Sequence, residues 1–321
     1  MLGTEPINYE KHLEGVSRSF AFCIAQLDEP LKQQISLLYL LCRVLDSVED
    51  YQFKDKKIQF QQMDEFESFF ELHQELEDGK VPQKRRNQMI RWAQKFPRDL
   101  PRAEADLVKS TYKLIADYYA LPLSAQTHFK QVIFEMSEGM QKYLLKNHNL
   151  KDLHDLNDYC YYVAGVVGVG LSRLLTDIEN DFEFTTDIQK YAVGFGLYLQ
   201  KINILKDQKE DEADGRYLVP NRDEVFISLL ENAHEAFDFL ESVPLNQKRF
   251  RVFCGWSLFI GLASLPYIYE SYEKNNTSKI SRLATKRLIS KVEAHIDDPV
   301  KLRSLFESYI KPVKELRCYA L

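Results

Sequence analysis

The chain has 321 residues, 45% hydrophobic and 28% charged, which suits a globular protein with a sizeable core. Its 12 Gly and 11 Pro are few for that length, so a many-stranded protein is excluded for want of turns and an all-α chain is expected. A net charge of -6 and a pI near 5.8 exclude a general nucleic-acid binder, which needs a basic surplus.

In chain order, the opening MLGTEPINYEKHLEG has no apolar core of a secretory signal. Helical periodicity follows at residues 32–50, 59–78, 104–120, 124–146, 155–175, 187–211, 223–241, 246–272 and 281–315, the last broken near Asp297-Asp298-Pro299. The breaks carry turn residues, such as FPRDLPR at 96–102 and LPLS at 121–124. With no linker or low-complexity tract, nine or ten helices in a single domain over residues 1–321 is the economical expectation.

Several features read as ordinary structure. The basic pieces KDKK (54–57) and QKRR (83–86) read as solvated loop or helix faces. Cys23, Cys42, Cys160, Cys254 and Cys318 show no metal-binding spacing, and the four in apolar surroundings read as small core residues in a reducing compartment. The glycosylation sequons at Asn275 and Asn276 then read as chance matches. The uncharged run VFCGWSLFIGLASLPYIY (252–269) is at the short edge of a membrane span, and its small residues favour a buried core helix.

The chemistry begins where LLYLLCRVLDSVEDY (37–51) ends in Asp46, Glu49 and Asp50. Helical steps of three and four line these acids up with Arg43 and Tyr39, so they form one polar stripe on a buried helix. GLYLQKINILKDQKED (196–211) repeats the design with Gln200, Asn203, Asp207, Glu210 and Asp211. Two such stripes facing each other across a cavity would repel unless cations lay between them, and Mg2+ takes a few carboxylates together with substrate phosphates. Arg18, Arg43, Lys206 and Arg216 stand close enough in sequence to complete a diphosphate clamp.

The segments SRSFAF (17–22), YLLCRVLDSVED (39–50), DYCYYVAGVVGVGLSRLL (158–175) and LQKINILKDQKEDEADGRYLVP (199–220) resemble the squalene/phytoene synthase family, nearest its squalene-forming branch. The likeness runs over about residues 10–285. It implies an all-α isoprenoid synthase bundle with a central cavity between two aspartate-rich helices. It also implies head-to-head joining of two farnesyl diphosphates through presqualene diphosphate to squalene, with Mg2+ and NADPH.

By position, the resemblance gives Asp46, Glu49, Asp50, Asp207, Glu210 and Asp211 to the metal, and Ser17, Arg18, Ser19, Arg43 and Arg216 to diphosphate oxygens. Tyr159 aligns with a tyrosine thought to take the proton lost in cyclopropane formation, which makes it catalytic together with Asp46, Asp50, Asp207 and Asp211. A carbocation needs a dry wall, for which Phe20, Tyr39, Tyr162 and Phe253 are candidates beside Tyr159. The glycines 165, 168 and 170 read as packing positions.

Gln200 and Asn203 match residues on the nicotinamide side, and Lys279 and Arg282 of KISR resemble the stretch that holds the NADPH phosphate. Phe253 and Cys254 also fit, but Ser257 and Leu258 stand where the branch has Pro-Gln, and Lys206 replaces an arginine. A non-reducing relative making dehydrosqualene, hydroxysqualene or phytoene is therefore the alternative. A non-catalytic helical assembly factor is the third reading. The chain ends at LRCYAL, without the membrane anchor of eukaryotic family members, so a cytoplasmic protein is expected, with peripheral contact at the inner membrane face left open. Substrate chain length and oligomeric state are not legible.

Overall fold

In the computed structural model, residues 6–51, 53, 55–96, 99–274 and 280–318 are described, without the side chains of residues 273, 274 and 315–318. No strand occurs among the described residues, as the composition leads one to expect; the extended segments make only two isolated bridges. The chain divides into two compact units, residues 1–25 with 29–141, and residues 26–28 with 142–321.

The first unit contains α1 (Tyr9–Val16), α2 (Arg18–Ile24), α3 (Leu31–Asp50), α4 (Lys56–Ser68), α5 (Gln83–Ala93), α6 (Arg102–Lys109), α7 (Thr111–Tyr119) and most of α8 (Leu123–Leu145). Helix α3 is its axis, with α1, α2, α4, α6 and α7 packed on it. Its apolar residues are on every side, from Leu31 to Val48, and each is at most 5% exposed. That is why the helix can carry only one polar stripe. An aromatic cluster of Phe66, Phe69, Phe70 and Trp92 locks α4 to α5, with Trp92 Nε1 donating to the Gln62 carbonyl at 3.0 Å.

The second unit contains α9 (Leu153–Cys160), a π-helical turn (Tyr161–Gly165), α10 (Val166–Thr176), α11 (Thr186–Ala213), α12 (Arg222–Ser242), α13 (Lys248–Lys274), α14 (Arg282–His295) and α15 (Pro299–Cys318). Helix α11 is the axis here, packed by the π turn, α10, α12 and α13. Gly168 is needed where α10 crosses it, because a Cβ there would lie 2.2 Å from the Ala192 carbonyl oxygen. Arg251, 1% exposed, closes the far end. Its Nε and Nη2 donate to the Ile296 carbonyl, and its Nη1 donates to the Leu240 carbonyl, so one guanidinium answers the C-terminal carbonyls of α12 and α14.

Several expected boundaries move. Residues 59–78 are not one helix: α4 stops at Ser68 and a short 3-10 turn follows at His73–Glu75. The stretch 104–120 is interrupted at Ser110, whose hydroxyl donates to the Asp106 carbonyl at 2.9 Å. The stretch 155–175 carries the π turn. Helices α1, α2 and α5 were not expected, and the stretches 104–120, 155–175 and 281–315 each hold two helices, so the described residues have fifteen α-helices instead of nine or ten. QKRR opens α5 as a largely solvated helix face. The apolar run lies in α13, whose Lys248–Tyr272 portion is long and apolar enough to cross a membrane, but most of it is buried inside the protein. It is a core helix here. Cys23, Cys42, Cys160 and Cys254 are free and buried, as expected of core cysteines; the Cys318 side chain and the sequons at Asn275 and Asn276 lie outside the described residues.

Candidate active site

In the first unit the polar stripe of α3 is real. Glu49 is 6% exposed, Asp46 and Arg43 are partly buried, and Asp50 reaches solvent at the helix end. Arg43 divides its guanidinium between two acids, Nη1 donating to Asp46 Oδ2 at 3.0 Å and Nη2 to Glu104 Oε1 at 3.2 Å. Burial opposes the Arg43 charge, but Asp46, Tyr39, Asp50 and Glu104 outweigh it and hold the proton on more firmly than usual. Asp46 is pushed up to about 7, chiefly by burial and then by Asp50 and Glu49, with Arg43 pulling the other way.

One turn earlier the stripe meets α2. Ser17 caps that helix, accepting from the Phe20 N–H at 3.4 Å. The Phe20 ring stacks on Tyr39 with centroids 4.8 Å apart. Burial pushes the Tyr39 hydroxyl up, while its hydrogen bond with Ser17 and the charge of Arg43 pull it down. Ser17, Phe20, Tyr39, Arg43 and Asp46 thus form one chain of contacts; Arg18 and Ser19 are exposed on the first turn of α2.

In the second unit α11 presents its acids with cations close by. Lys206 Nζ lies 3.1 Å from Asp207 Oδ2, and Arg216 Nη2 lies 2.6 Å from Asp211 Oδ1. Asp211 is 7% exposed, Asp207 is half-buried and Glu210 is exposed. Arg216 returns to Asp211 because Gly215, at φ +80°, turns the chain back at the end of α11, where the Arg216 N–H donates to the Asp211 carbonyl at 2.8 Å. The chain then pairs with the segment after α8: the Tyr217 N–H donates to the His148 carbonyl and the Leu150 N–H to the Tyr217 carbonyl, both at 3.0 Å.

That segment leads to Tyr159. Its ring, 6% exposed, meets Tyr143 edge-on at 5.2 Å and His148 at 6.0 Å. Tyr143 donates to Asp158 Oδ2 at 2.6 Å and to the Asp155 carbonyl at 2.9 Å, which fixes the wall behind Tyr159. Tyr162, on the π turn, lies under the Lys142 ammonium at 5.2 Å. Phe253 is 4% exposed and packs on Phe250 with centroids 5.7 Å apart, inside α13.

Of the dinucleotide candidates, Gln200 is half-buried on α11, Asn203 is exposed and 3.4 Å from Lys206 Nζ, and Arg282 is exposed as the first residue of α14. Lys279 lies outside the described residues. Amides and a guanidinium are donors suited to a phosphate-bearing dinucleotide. The acid sets on α3 and α11 fit Mg2+: their donors are all oxygen, and each set crowds three carboxylates within five positions of one helix, whose charge a divalent ion offsets. A separate exposed group, Asp152, His154 and Asp155, is already engaged, since Asp152 caps α9 and Asp155 pairs with Lys146 at 2.8 Å.

Three supporting residues escaped the sequence reading. Glu104 is 61 positions from the arginine it holds, and Tyr143 and His148 flank the end of α8 without any spacing signal.

The chain is similar to known proteins along most of its length. The yeast (Saccharomyces cerevisiae) squalene synthase is 31% identical over 209 residues, covering 64% of this chain and 43% of its own. The rat (Rattus norvegicus) squalene synthase is 30% identical over 210 residues, covering 65% and 45%. The chain therefore spans less than half the length of these relatives. Among solved structures, a TcSQS–ligand complex superimposes with a TM-score of 0.72 at 21% identity, over 96% of this chain and 97% of the other. A dehydrosqualene synthase complex gives 0.63 at 20%, over 90% and 95%. These likenesses establish the isoprenoid synthase helical fold. The squalene/phytoene synthase family model matches residues 13–224, about two-thirds of the sequence, and the chain belongs to that family.

Proposed function

We propose that the two units act as one isoprenoid synthase domain that joins two farnesyl diphosphates head to head, through presqualene diphosphate, to squalene. The observation that carries this reading is the end of α3, where Asp46, partly buried and 3.0 Å from Arg43 Nη1, shares one stripe with Glu49 and Asp50. Such a cluster is poorly stable alone and is completed by a hard divalent cation. Bound Mg2+ supplies Lewis-acid stabilisation of the departing pyrophosphate.

The remaining roles belong to the chain itself. Asp46, Glu49, Asp50, Asp207, Glu210 and Asp211 hold the metal, and Ser17, Arg18, Ser19, Arg43 and Arg216 bind diphosphate oxygens, where negative charge develops as the allylic C–O bond breaks. Phe20, Tyr39, Tyr162 and Phe253 provide apolar, π-rich surface that keeps water from the cation. The Tyr159 oxygen receives the proton lost as the cyclopropane closes. Gln200, Asn203, Lys279 and Arg282 would hold NADPH, which would supply hydride when bound. Prenyl diphosphates are the partners, and the protein works in the cytoplasm or against the inner face of a membrane.

A second reading, condensation without reduction, is favoured by one observation. At the Pro-Gln position, the Ser257 hydroxyl turns back to the Phe253 carbonyl at 2.9 Å and Leu258 is 0% exposed, so neither offers an amide. Incubation with farnesyl diphosphate and Mg2+, with and without NADPH, separates the two readings. Squalene formed only with NADPH, and a C30 cyclopropyl diphosphate without it, supports the first. A product indifferent to NADPH supports the second, and no release of pyrophosphate from any prenyl diphosphate overturns both.

A further inference from the structure

The last four carbonyls of a helix have no partner within it, and the end of a helix carries partial negative charge. On α3 those carbonyls belong to Ser47, Val48, Glu49 and Asp50, on the same turn as two of the proposed metal ligands. A glycine in the left-handed conformation is a common remedy at such an end, and a lysine, arginine or histidine can also serve.

Here Gln59, on the first turn of α4 and 4% exposed, turns its amide onto that end. Its Nε2 donates to the Val48 and Glu49 carbonyls at 2.8 Å each and lies 3.3 Å from the Tyr51 carbonyl. The amide has two hydrogens, so one of them is shared between acceptors. Gln59 is itself held, because α4 is tied to α5 by the Trp92 bond to Gln62. A neutral donor answers the carbonyls without adding a cation beside Asp46, Glu49 and Asp50. The terminal turn is thereby fixed in a form its own hydrogen bonds cannot enforce.

We propose that Gln59 is a positioning residue that sets the last turn of α3 for divalent-cation binding, an inference that rests on the metal-binding part of the reading above. It touches neither metal nor substrate. It acts through the backbone of Glu49 and its neighbours.

The test is Mn2+ binding to the purified full chain in the presence of inorganic pyrophosphate, followed by the electron paramagnetic resonance signal of free Mn2+, beside thermal melting. Gln59→Ala should weaken Mn2+ about tenfold, the loss expected when buried carbonyls lose a donor worth about 1–2 kcal/mol. Gln59→Glu, similar in shape but without a donor when ionised, should weaken it at least as much. Tyr119→Phe is the control. It removes the Tyr119 hydroxyl bonds to the Leu72 N–H and the Phe69 carbonyl in the same unit, and should lower the melting temperature with Mn2+ affinity unchanged.

Mn2+ affinity in Gln59→Ala within twofold of wild type, or an equal loss in Tyr119→Phe, overturns the inference. Wild-type protein that binds no Mn2+ overturns it together with the metal assignment. Wild-type protein that binds Mn2+ but yields no C30 product sinks only the proposed reaction, and the ratio between wild type and Gln59→Ala still decides the role of Gln59.

Discussion

Helices α3 and α11 carry nearly the same acidic pattern and hold it in different ways. On α3 one guanidinium, Arg43, is shared between Asp46 and the distant Glu104, so the acids outnumber the cation, and burial, reinforced by Asp50 and Glu49, pushes Asp46 up to about 7. On α11 each of two acids has its own cation drawn from nearby sequence, Lys206 for Asp207 and Arg216 for Asp211. The backs of the helices differ too. Behind the end of α3 the buried polar group is the neutral amide of Gln59, whereas α11 buries Lys201, which is 0% exposed and donates to Ser228 Oγ and Asn232 Oδ1 at 2.6 Å each. Burial brings that lysine down to about 8, with Cys160, Glu231 and Glu235 opposing the fall. The lesson is that a spacing of acids specifies a face of a helix, while the surrounding partners decide how much negative charge that face keeps.

The comparison breaks most readily at the acids themselves. Asp46→Ala and Asp207→Ala should each cut Mg2+-dependent pyrophosphate release by about 10²–10³-fold, since each removes charge aimed at the leaving group. A large loss in one and full activity in the other would restrict the metal to one helix. Next in size is Tyr159→Phe, which should slow condensation by about 10²-fold while leaving substrate binding within about twofold, as loss of a proton acceptor does. Single-turnover kinetics beside equilibrium binding reads the two effects separately.

A third expectation sharpens the contrast through pH. A carboxyl raised to about 7 must lose its proton before it can bind a cation, so Mn2+ affinity at α3 should be full above about pH 7 and fall toward tenfold per unit below it. Without metal the sign for stability is the reverse: the folded pKa exceeds the unfolded one, so this group costs stability as pH rises from about 4 to about 7. Metal titrations and melts from pH 5 to 8 check both, and a flat affinity contradicts the role of Asp46. The smallest effect belongs to Lys206→Ala. Its pair with Asp207 is solvent-exposed, so stability should change by about 0–1 kcal/mol, measurable by urea unfolding.

What was legible in the sequence follows from the same physics. The long helices α3, α8, α11, α12 and α13 could be read because burial imposes an apolar period on a rod, and the two acidic stripes stood out against it. The short helices α1, α2 and α5 have too few turns to show a period, and α5 begins with the polar QKRR. The break at Ser110 depends on a side chain returning to its own backbone. The site was legible as two lists of acids with nearby arginines. Its supports were not, because Glu104 for Arg43, Gln59 for the end of α3 and His148 for Tyr159 are chosen by folding and not by neighbouring position.

The most direct measurement is single-turnover release of pyrophosphate from farnesyl diphosphate, as a function of Mg2+, in wild type, Asp46→Ala and Asp207→Ala. The expected result is saturable Mg2+-dependent release in wild type and its loss in both variants. Undiminished release in either variant, or release from wild type that ignores Mg2+, would contradict the assignment of the two acidic helices.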